Sequence, residues 1–361
     1  MKLIKAKIKR ICLKVPKIRG EKAIALANKL EIVNKKLEIQ RNKNFIYIPL
    51  TRQPSKNETD TLKEKLPDSA IWTHAFSERK KQARTFAELL EDRLAPHLLA
   101  SLPRAIDFVG DIAIMEIPPE LEVYKSAIGK AILKTQKTAS TVLAKASAVS
   151  GTYRTREFSI IAGEPKTETI HKEYDCKYYV DLAKAYFSPR LSYEHKRVAS
   201  LVKEGETVVD LFAGVGPFVI QIAKTHENVR VYAVDVNPYA FEFLKRNIRL
   251  NRVEDKVHPI LGDAKQAVAN KLSGIADRVI MNLPEKAIEF VGVACEALKP
   301  NGGIVHFYSF ISGSDSMEDM KRNFMEAVEK GGRRVEKILF SRLVRATAPY
   351  EWQAVIDAKI H

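Results

Sequence analysis

Hydrophobic and polar positions near the N-terminus predict a small α+β module. Residues 8–15 and 44–50 alternate between apolar and polar side chains, as β-strands do, and a helical pattern runs from Gly20 to Leu30 between them. The polar stretch 51–65 contains Pro54 and other turn-forming residues, so we predict that it is a linker. The first predicted domain therefore covers residues 1–66.

Residues 67–176 have a weaker pattern that predicts a second α+β module. Helical spacing occurs at 77–90, 95–102 and 121–134, and two strands are predicted around Gly110-Asp111 within residues 105–117. We expect this middle module to be rich in β-structure with helices packed on it.

From residue 177 to 361 strands and helices alternate regularly, which is typical of a parallel, doubly wound α/β sheet. The last part, residues 335–359, predicts a pair of antiparallel strands that closes the sheet. The predicted strands are 207–212, 230–235, 257–261, 277–282 and 303–309, and the predicted helices are 218–224, 239–251, 290–298 and 315–330.

Composition adds a strong positive charge to this picture. The chain has 361 residues, with 60 Lys plus Arg against 44 Asp plus Glu, which gives a formal net charge of +16. Such an excess favours a polyanionic partner, because phosphates neutralised by Lys and Arg release bound counterions. Nucleic acid is the favoured partner, and a solvated basic surface is the alternative.

Cysteine usage and hydropathy exclude several classes of protein. Cys12, Cys176 and Cys295 lie far apart without a CxxC spacing, which argues against a disulfide framework and against a metal site. The chain contains neither the apolar core of a signal peptide nor an apolar run of about 20 residues. We therefore predict a cytoplasmic protein that does not associate with membranes.

A glycine-containing loop after the first strand of the third domain predicts a nucleotide-like cofactor. It contains Asp210, Phe212, Gly214 and Gly216, and glycines let the backbone approach a ligand closely. The dinucleotide fingerprint would require a small residue at position 219, where this chain has Val219. The leading Asp210 is typical of loops that bind S-adenosylmethionine instead.

Polar residues follow the next three strands at the same predicted edge of the sheet. Asp235 is predicted to accept hydrogen bonds from ribose hydroxyls, although a helix N-cap is the alternative. Asp263 is a candidate for the adenine amino group, with a turn aspartate as the alternative. Asn282-Leu283-Pro284 is a variant of the element with which many nitrogen methyltransferases hold their target, and an ordinary turn is the alternative. Together these residues predict S-adenosylmethionine as the cofactor.

These motifs extend into a resemblance that covers nearly the whole chain. It resembles the archaeal and eukaryotic class I tRNA (guanine-N1)-methyltransferases that modify guanosine 37, and most closely the archaeal type. The stretches that carry the resemblance are 12–16, 47–50, 153–157, 169–172, 186–194, 208–218, 235–240, 281–284 and 348–349.

The resemblance implies a Rossmann-like class I methyltransferase domain at 177–361, preceded by the two smaller α+β modules. It further implies that Glu194 is the general base for the N1 proton and that Arg154 lies near O6 of guanine. Asn282 and Pro284 would hold the base turned out of its stack, and Tyr186 would close over the methionine and the target. The implied cofactor-binding residues are Arg190, Asp210, Phe212, Gly214, Gly216, Asp235, Val236, Asp263 and Asn282.

Each implied catalytic residue has a plainer alternative. Glu194 could be a solvated helix residue, Tyr186 could belong to the core, and Arg154 could contact only phosphate. The sequence does not distinguish Arg154 from Arg156 as the residue that faces the target base.

The resemblance also implies how tRNA is bound. The module at 1–66 is similar to the part of the archaeal enzymes that touches the outer corner of tRNA, where Lys14, Lys17, Arg19 and Lys22 are candidate phosphate contacts. The module at 67–176 would bind the anticodon stem-loop, and the protein is expected to be a monomer.

Three other functions stay open at this point. A methyltransferase acting on a wyosine precursor at the same tRNA position is the nearest, but such relatives tend to carry Asn-Pro-Pro-Tyr where this chain has Asn282-Leu283-Pro284-Glu285. A nicotinamide-dependent oxidoreductase and a non-catalytic RNA-binding protein are more distant alternatives.

Overall fold

The fold is that of a computed structural model, which describes residues 8–78, 85–313 and 315–361. The chain forms two compact units, residues 1–83 and residues 84–361. Among the helices that are described, none combines the length and apolar character needed to cross a lipid bilayer.

The N-terminal unit is a four-stranded antiparallel sheet with two helices. Its strands lie in the order β2-β3-β1-β4. Leu13, Ile48 and Leu62 are fully or almost fully buried in its core. The elements are β1 Ile8–Pro16, α1 Gly20–Lys29, β2 Gln40–Arg41, β3 Phe45–Pro49, α2 Lys56–Lys65 and β4 Ala70–Phe76, with a 3-10 turn at Lys17–Arg19.

The predicted linker at 51–65 is wrong, because most of this stretch forms helix α2. Ser55 is the N-cap: its hydroxyl accepts a hydrogen bond from the backbone N–H of Glu58, whose carboxylate accepts one from the N–H of Ser55. This capping box satisfies two backbone N–H groups that would otherwise lack partners at the helix start. The Ser-x-x-Glu signal was present in the sequence, but few apolar residues accompany it.

The predicted boundary after residue 66 is also wrong. Strand β4 pairs with β1 from Ile8 opposite Phe76 to Lys14 opposite Ala70, so it belongs to the first sheet. Phe76 is completely buried. The first unit therefore extends past residue 76.

The larger unit begins with the middle module, a second four-stranded sheet in the order β5-β6-β7-β8. The strands predicted around Gly110-Asp111 are confirmed as β5 and β6, and β7 pairs parallel to β6. The elements are α3 Pro96–Ala100, β5 Asp107–Val109, β6 Ile112–Met115, α4 Lys125–Thr135, β7 Thr141–Lys145 and β8 Phe158–Gly163, with a 3-10 helix at Pro119–Tyr124. The helix predicted at 77–90 lies partly outside the described residues, and residues 85–94 form turns rather than a helix.

A β-hairpin of β9, Glu168–Glu173, and β10, Cys176–Asp181, joins the middle module to the last domain. The predicted boundary between residues 176 and 177 falls inside it. Helix α7 of the last domain, Pro238–Asn251, holds this hairpin, because the Asn247 and Asn251 side chains form hydrogen bonds with the backbone of β10. The hairpin therefore packs with the last domain.

The last domain contains a seven-stranded sheet in the order β13-β12-β11-β14-β15-β17-β16. Its elements are α5 Ser192–Leu201, β11 Thr207–Asp210, α6 Pro217–Thr225, β12 Arg230–Asp235, α7 Pro238–Asn251, β13 Val257–Leu261, α8 Ala264–Ala267, β14 Arg278–Met281, α9 Val291–Ala297, β15 Gly303–Ser312, α10 Met317–Lys330, β16 Val335–Ala348 and β17 Glu351–Ile360, with 3-10 turns at Pro189–Leu191 and Ala287–Phe290 and a π-helical turn at Val268–Leu272.

This sheet confirms the predicted doubly wound fold. Strands β11 to β15 pair in parallel, whereas β17 runs antiparallel between β15 and β16. Buried aliphatic clusters cover both faces, which is why the central strands read as nearly continuous apolar runs. Because the parallel strands all point one way, their carboxyl ends meet at one edge of the sheet, where such folds bind ligands.

Candidate active site

A cavity of about 240 Å³ lies at the carboxyl edge of the sheet. Its walls come from the glycine loop after β11, the ends of β12, β13 and β14, the segment before α5 and residues 151–154 of the middle module. The cavity therefore joins the two parts of the larger unit. The predicted site residues among its lining are Arg154, Tyr186, Phe212, Gly214, Asp235, Val236, Asp263, Asn282 and Pro284.

The glycine loop turns sharply because two of its residues adopt left-handed backbone angles. Gly214 has φ +56° and donates its N–H to Oδ2 of Asp235 at 2.6 Å. Gly216 has φ +93° and is the N-cap of α6; a Cβ there would lie 2.5 Å from Cδ1 of Leu244. Gly216 thus shapes the loop without lining the cavity, and its predicted contact with the cofactor stays a prediction.

Asp210 is completely buried and does not line the cavity, and its predicted contact with the cofactor stays a prediction. Its Oδ1 accepts the N–H of Phe212 at 3.1 Å, and its Oδ2 has no hydrogen-bond partner among the described residues. Burial raises the pKa of Asp210 to about 7, and the nearby charge of Asp235 adds to that effect. Asp210 is therefore a loop-shaping residue in this structure.

Asp235 faces the cavity at the end of β12. Its two oxygens accept backbone N–H groups from Gly214 at 2.6 Å and from Asn237 at 2.8 Å. Burial raises the pKa of Asp235, and these two hydrogen bonds oppose that effect. Asn237 itself caps helix α7 by accepting from the N–H of Tyr239, so Asp235 is not the N-cap.

The remaining lining has the chemistry that an adenosyl group requires. Asp263 caps α8 through Oδ1, which accepts from the N–H groups of Lys265 and Gln266, and it borders the cavity. Phe212 packs edge to face on Phe290 with ring centroids 5.0 Å apart, giving an apolar wall. Carboxylate acceptors beside aromatic and backbone surface fit a nucleoside with hydroxyl and amino donors.

Arg154 and Tyr186 also line the cavity and contact each other. The guanidinium of Arg154 lies over the Tyr186 ring, 5.4 Å from its centroid, and its Nη1 is 3.2 Å from Oε2 of Glu285. That contact lacks hydrogen-bond geometry, and the buried Nη1 has no hydrogen-bond partner in the described part of the chain. Arg156 does not line this cavity, so the structure distinguishes the two arginines that the sequence left open.

Asn282 and Tyr186 are held by two residues from the C-terminal hairpin. Nε2 of Gln353 donates to Oδ1 of Asn282 at 3.0 Å, and Nε of Arg345 donates to Oε1 of Gln353 at 2.8 Å. Arg345 also donates to the hydroxyls of Tyr186, at 2.9 Å, and Ser188, at 2.7 Å. Gln353 lines the cavity and is only 1% exposed.

Glu194 lies on α5 and does not line the cavity, and its role as general base stays a prediction. It is 1% exposed, so it is not the solvated helix residue of the plainer alternative. Its Oε2 accepts from the Tyr308 hydroxyl at 2.8 Å and from Nε of Arg197 at 2.9 Å, and Arg342 donates to Oε1. Two guanidinium groups therefore compensate the buried carboxylate.

The hydrogen-bond network around Glu194 continues to residues of strands β14, β15 and β17. Arg197 donates to Asp357, which also accepts from Nδ1 of His306 at 2.6 Å, and Arg278 donates to Nε2 of the same histidine at 2.8 Å. Burial would raise the pKa of Asp357, but His306 and Arg197 lower it to about 2. The network thus anchors Arg197 in a fixed position beside Glu194.

His195 lines the cavity although its neighbour Glu194 does not. Its Nδ1 lies 2.7 Å from Oε2 of the buried Glu173, and its ring packs edge to face on Phe218. Burial would raise the pKa of Glu173, but the hydrogen bonds of His171 and His195 lower it. No motif in the sequence pointed to this buried histidine–carboxylate pair.

Arg190 is the fourth predicted site residue that does not line the cavity, after Asp210, Gly216 and Glu194. It forms an ion pair with Asp107 of the middle module, with Nε 2.6 Å from Oδ1. The functional candidates that sequence reasoning missed are His195, Arg342, Arg345 and Gln353. Three of these come from the terminal hairpin, where sheet pairing brings Gln353 to the cavity and Arg342 and Arg345 to residues beside it.

Three family models match the chain. They are the TRM5/TYW2 methyltransferase domain over residues 169–337, the TYW2 N-terminal domain over residues 86–167 and the tRNA methyltransferase 5 N-terminal domain over residues 12–58. The first of these ranges begins at the start of hairpin β9–β10, whereas the predicted boundary divided this hairpin near its middle.

Individual relatives match over different shares of the chain. The tRNA (guanine(37)-N(1))-methyltransferase Trm5b of Pyrococcus abyssi is 37% identical over 350 residues, which cover 97% of this chain and 99% of the relative. The tRNA 4-demethylwyosine(37)-methyltransferase Taw21 of Saccharolobus solfataricus is 37% identical over 260 residues, covering 71% of this chain and 94% of the relative.

A solved structure described as the complex of aTrm5 and tRNALeu is similar over 97% of this chain and 100% of that chain, with 33% identity and a TM-score of 0.77. The sheet order and the position of the cavity are consistent with the matched methyltransferase family. The chain belongs to the TRM5/TYW2 methyltransferase family.

Proposed function

We propose that this chain transfers a methyl group from S-adenosylmethionine to N1 of guanosine 37 in tRNA. The observation that carries the proposal is the cavity itself, where the glycine loop and Asp235 face Arg154, Tyr186 and Asn282. The similarity to Trm5b over 97% of the chain supports the same reaction.

S-adenosylmethionine supplies a methyl group on a positively charged sulfur, which a nitrogen nucleophile can attack. In this chain Asp235 accepts hydrogen bonds from the ribose hydroxyls, and Asp263 accepts one from the adenine amino group. Phe212 and Val236 provide the apolar surface beside them. The backbone around Gly214 permits close approach because a glycine carries no Cβ.

On the target side, guanine enters the cavity turned out of its stack. As N1 gains the methyl group it loses its proton, and negative charge develops on O6. Arg154 stabilises that charge, because its Nη1 is buried and has a hydrogen-bonding capacity that the described residues leave unused. Tyr186 and Pro284 bracket the base.

Glu194 accepts the N1 proton in this proposal. Its carboxylate is buried and bound by three donors, so a donor must move aside for the substrate to reach it. Arg342 is the donor that substrate can displace most readily, because its side chain is 34% exposed whereas that of Arg197 is 11% exposed. His195 is the second candidate for this proton, because it already borders the cavity.

Binding of tRNA is consistent with the net charge of +16. We propose that the N-terminal unit contacts the outer corner of tRNA and that the middle module contacts the anticodon stem-loop. Lys17 and Lys22 are exposed and available to phosphate, whereas Lys14 lies over the rings of Phe45 and Trp72. A monomeric, cytoplasmic enzyme is the corresponding expectation.

The alternative substrate is a wyosine precursor at the same position. The match to Taw21 covers 94% of that relative but only 71% of this chain, whereas the match to Trm5b covers 97% of this chain. This difference in coverage favours guanosine as the substrate.

The test is methylation of tRNA transcripts with labelled S-adenosylmethionine, followed by identification of the methylated atom. We expect 1-methylguanosine at position 37 and no product when adenosine replaces guanosine there. Incorporation only into tRNA carrying the wyosine precursor would overturn the proposal in favour of the alternative.

A further inference from the structure

The amide of Asn282 can face the cavity with either its oxygen or its nitrogen, and the two orientations select different bases. An N–H2 group pairs with an acceptor such as the C6 carbonyl of guanine, whereas an oxygen pairs with a donor such as the C6 amino group of adenine. Whatever fixes this amide therefore contributes to substrate choice.

Arg345 fixes the orientation of the Asn282 amide through Gln353. A guanidinium has only donors, so the group of Gln353 that lies 2.8 Å from Nε of Arg345 must be its oxygen. The Gln353 nitrogen then points to Asn282, which must answer with its own oxygen at 3.0 Å. The N–H2 group of Asn282 is left for the cavity. Because a guanidinium cannot accept a hydrogen bond, Arg345 alone sets the direction of both bonds.

The fold holds this relay rigidly. Arg345 and Gln353 are cross-strand partners in the hairpin of β16 and β17, and the register shifts between Leu343 and Arg345. Such an irregularity re-aims the side chains that follow it. Gln353 is 1% exposed, so water cannot readily substitute for either of its partners.

We propose that Arg345 and Gln353 are specificity-positioning residues that orient the Asn282 amide to recognise a purine with a C6 carbonyl and to disfavour one with a C6 amino group. This inference rests on the proposed function and adds to it. Arg154, which also lines the cavity, would contact the same C6 carbonyl.

The decisive variant is Gln353→Glu in the full-length chain. A carboxylate can still accept from Arg345, but it presents an acceptor to Asn282, whose amide must then turn its oxygen toward the cavity. We expect kcat/KM for guanosine-37 transcripts to fall roughly 10- to 100-fold, the effect of one misdirected base contact. The ratio of kcat/KM for guanosine-37 over adenosine-37 transcripts should fall as well.

The variant Gln353→Leu distinguishes a role of Gln353 in orienting the Asn282 amide from a role in stabilising the fold. Leucine leaves Asn282 free to adopt either orientation, so the positioning role predicts a smaller loss of selectivity than with Gln353→Glu. A merely structural role predicts the opposite order, because glutamate keeps the bond to Arg345 and leucine loses it. Arg345→Lys retains a donor-only cation and should preserve most of the selectivity.

Lys359→Gln is the matched control, since it changes the net charge by the same amount on the same strand and lies exposed. Binding of S-adenosylhomocysteine verifies that each variant is folded. Unchanged guanosine-to-adenosine selectivity in Gln353→Glu, or a larger selectivity loss in Gln353→Leu, overturns the inference. Failure of the unmodified chain to methylate guanosine 37 overturns the proposed function instead.

Discussion

At the scale of single residues, burial and partners decide what each predicted carboxylate can do. Asp235 and Asp263 face the cavity while Asp210 lies behind it, although all three follow a strand at the same edge of the sheet. Glu194 is held by Tyr308 and two arginines. The sequence supplies the carboxylates, but it does not reveal their hydrogen-bond partners.

The role of Glu194 leads to a first prediction. Glu194→Gln preserves the size of the side chain but cannot take a proton, so kcat should fall by about 10² to 10⁴. The dissociation constant for tRNA should change little, and single-turnover methylation together with filter binding measures both. Glu242→Gln, an exposed site on α7, is the control for the charge change. Normal turnover of Glu194→Gln would assign the proton to His195 or another acceptor.

Because the pKa of Asp210 is raised to about 7, we expect the stability of the protein to depend on pH. Between an unfolded-state pKa near 4 and this value, only the unfolded chain releases the proton. Stability from this group is therefore full below pH 4 and is lost as pH rises to 7, by ~4 kcal/mol at most. Asp210→Asn keeps an acceptor for Phe212 and removes the titration. Its Tm should rise relative to the unmodified protein as pH increases from 4.5 to 8, and a difference independent of pH would contradict this.

At the scale of elements, the bounds of strands and helices were predicted well where the hydrophobic periodicity is strong and poorly where it is weak. Strands β12 and β13 have the predicted bounds because each is a short apolar run between turns. Helix α2 was missed because its side chains are mostly polar, and strands β9 and β10 were not predicted. In these three elements the stabilising contacts come mainly from capping and from neighbouring elements.

The turn from β11 into α6 is the element on which the cofactor site depends. Gly216→Ala combines an unfavourable φ of +93° with a Cβ 2.5 Å from Leu244, whereas Gly205→Ala has a similar φ of +85° and no atom within 4 Å. We expect a cost of about 1 kcal/mol at Gly205 and an additional 1–3 kcal/mol, roughly, at Gly216. Urea unfolding measures both.

Calorimetry with S-adenosylhomocysteine completes this comparison. Affinity should fall in Gly216→Ala, because the loop residues on either side of Gly216 line the cavity, and should be unchanged in Gly205→Ala. Equal stability and equal affinity in the two variants would mean that the contact with Leu244 relaxes without moving the loop.

At the scale of the whole molecule, the sheet pairing of β4 with β1 relocates the first boundary. Deletion of residues 1–83 removes the complete N-terminal unit, and the remainder should fold and bind S-adenosylhomocysteine normally. Its tRNA affinity should be weaker and less dependent on salt, because phosphate contacts are lost. Binding isotherms at several salt concentrations measure this.

Deletion of residues 1–60 is the informative comparison. It leaves β4 without its partner β1, which exposes an unpaired strand edge, and we expect aggregation. If the shorter deletion behaves better than the longer one, or if tRNA affinity is unchanged without residues 1–83, the proposed role of the N-terminal unit is wrong.

The sequence by itself determined the doubly wound sheet and the edge at which the cofactor site was expected, whereas Arg154 and Tyr186 were expected only from the resemblance to a family. The sequence could do so because hydrophobic periodicity and short loops are local in the chain. Only the tertiary structure decided that Arg154 rather than Arg156 faces the cavity, and that Gln353 and Arg345 hold Asn282. Gln353 and Asn282 are 71 positions apart, and pairing between strands, which no local pattern encodes, brings them together.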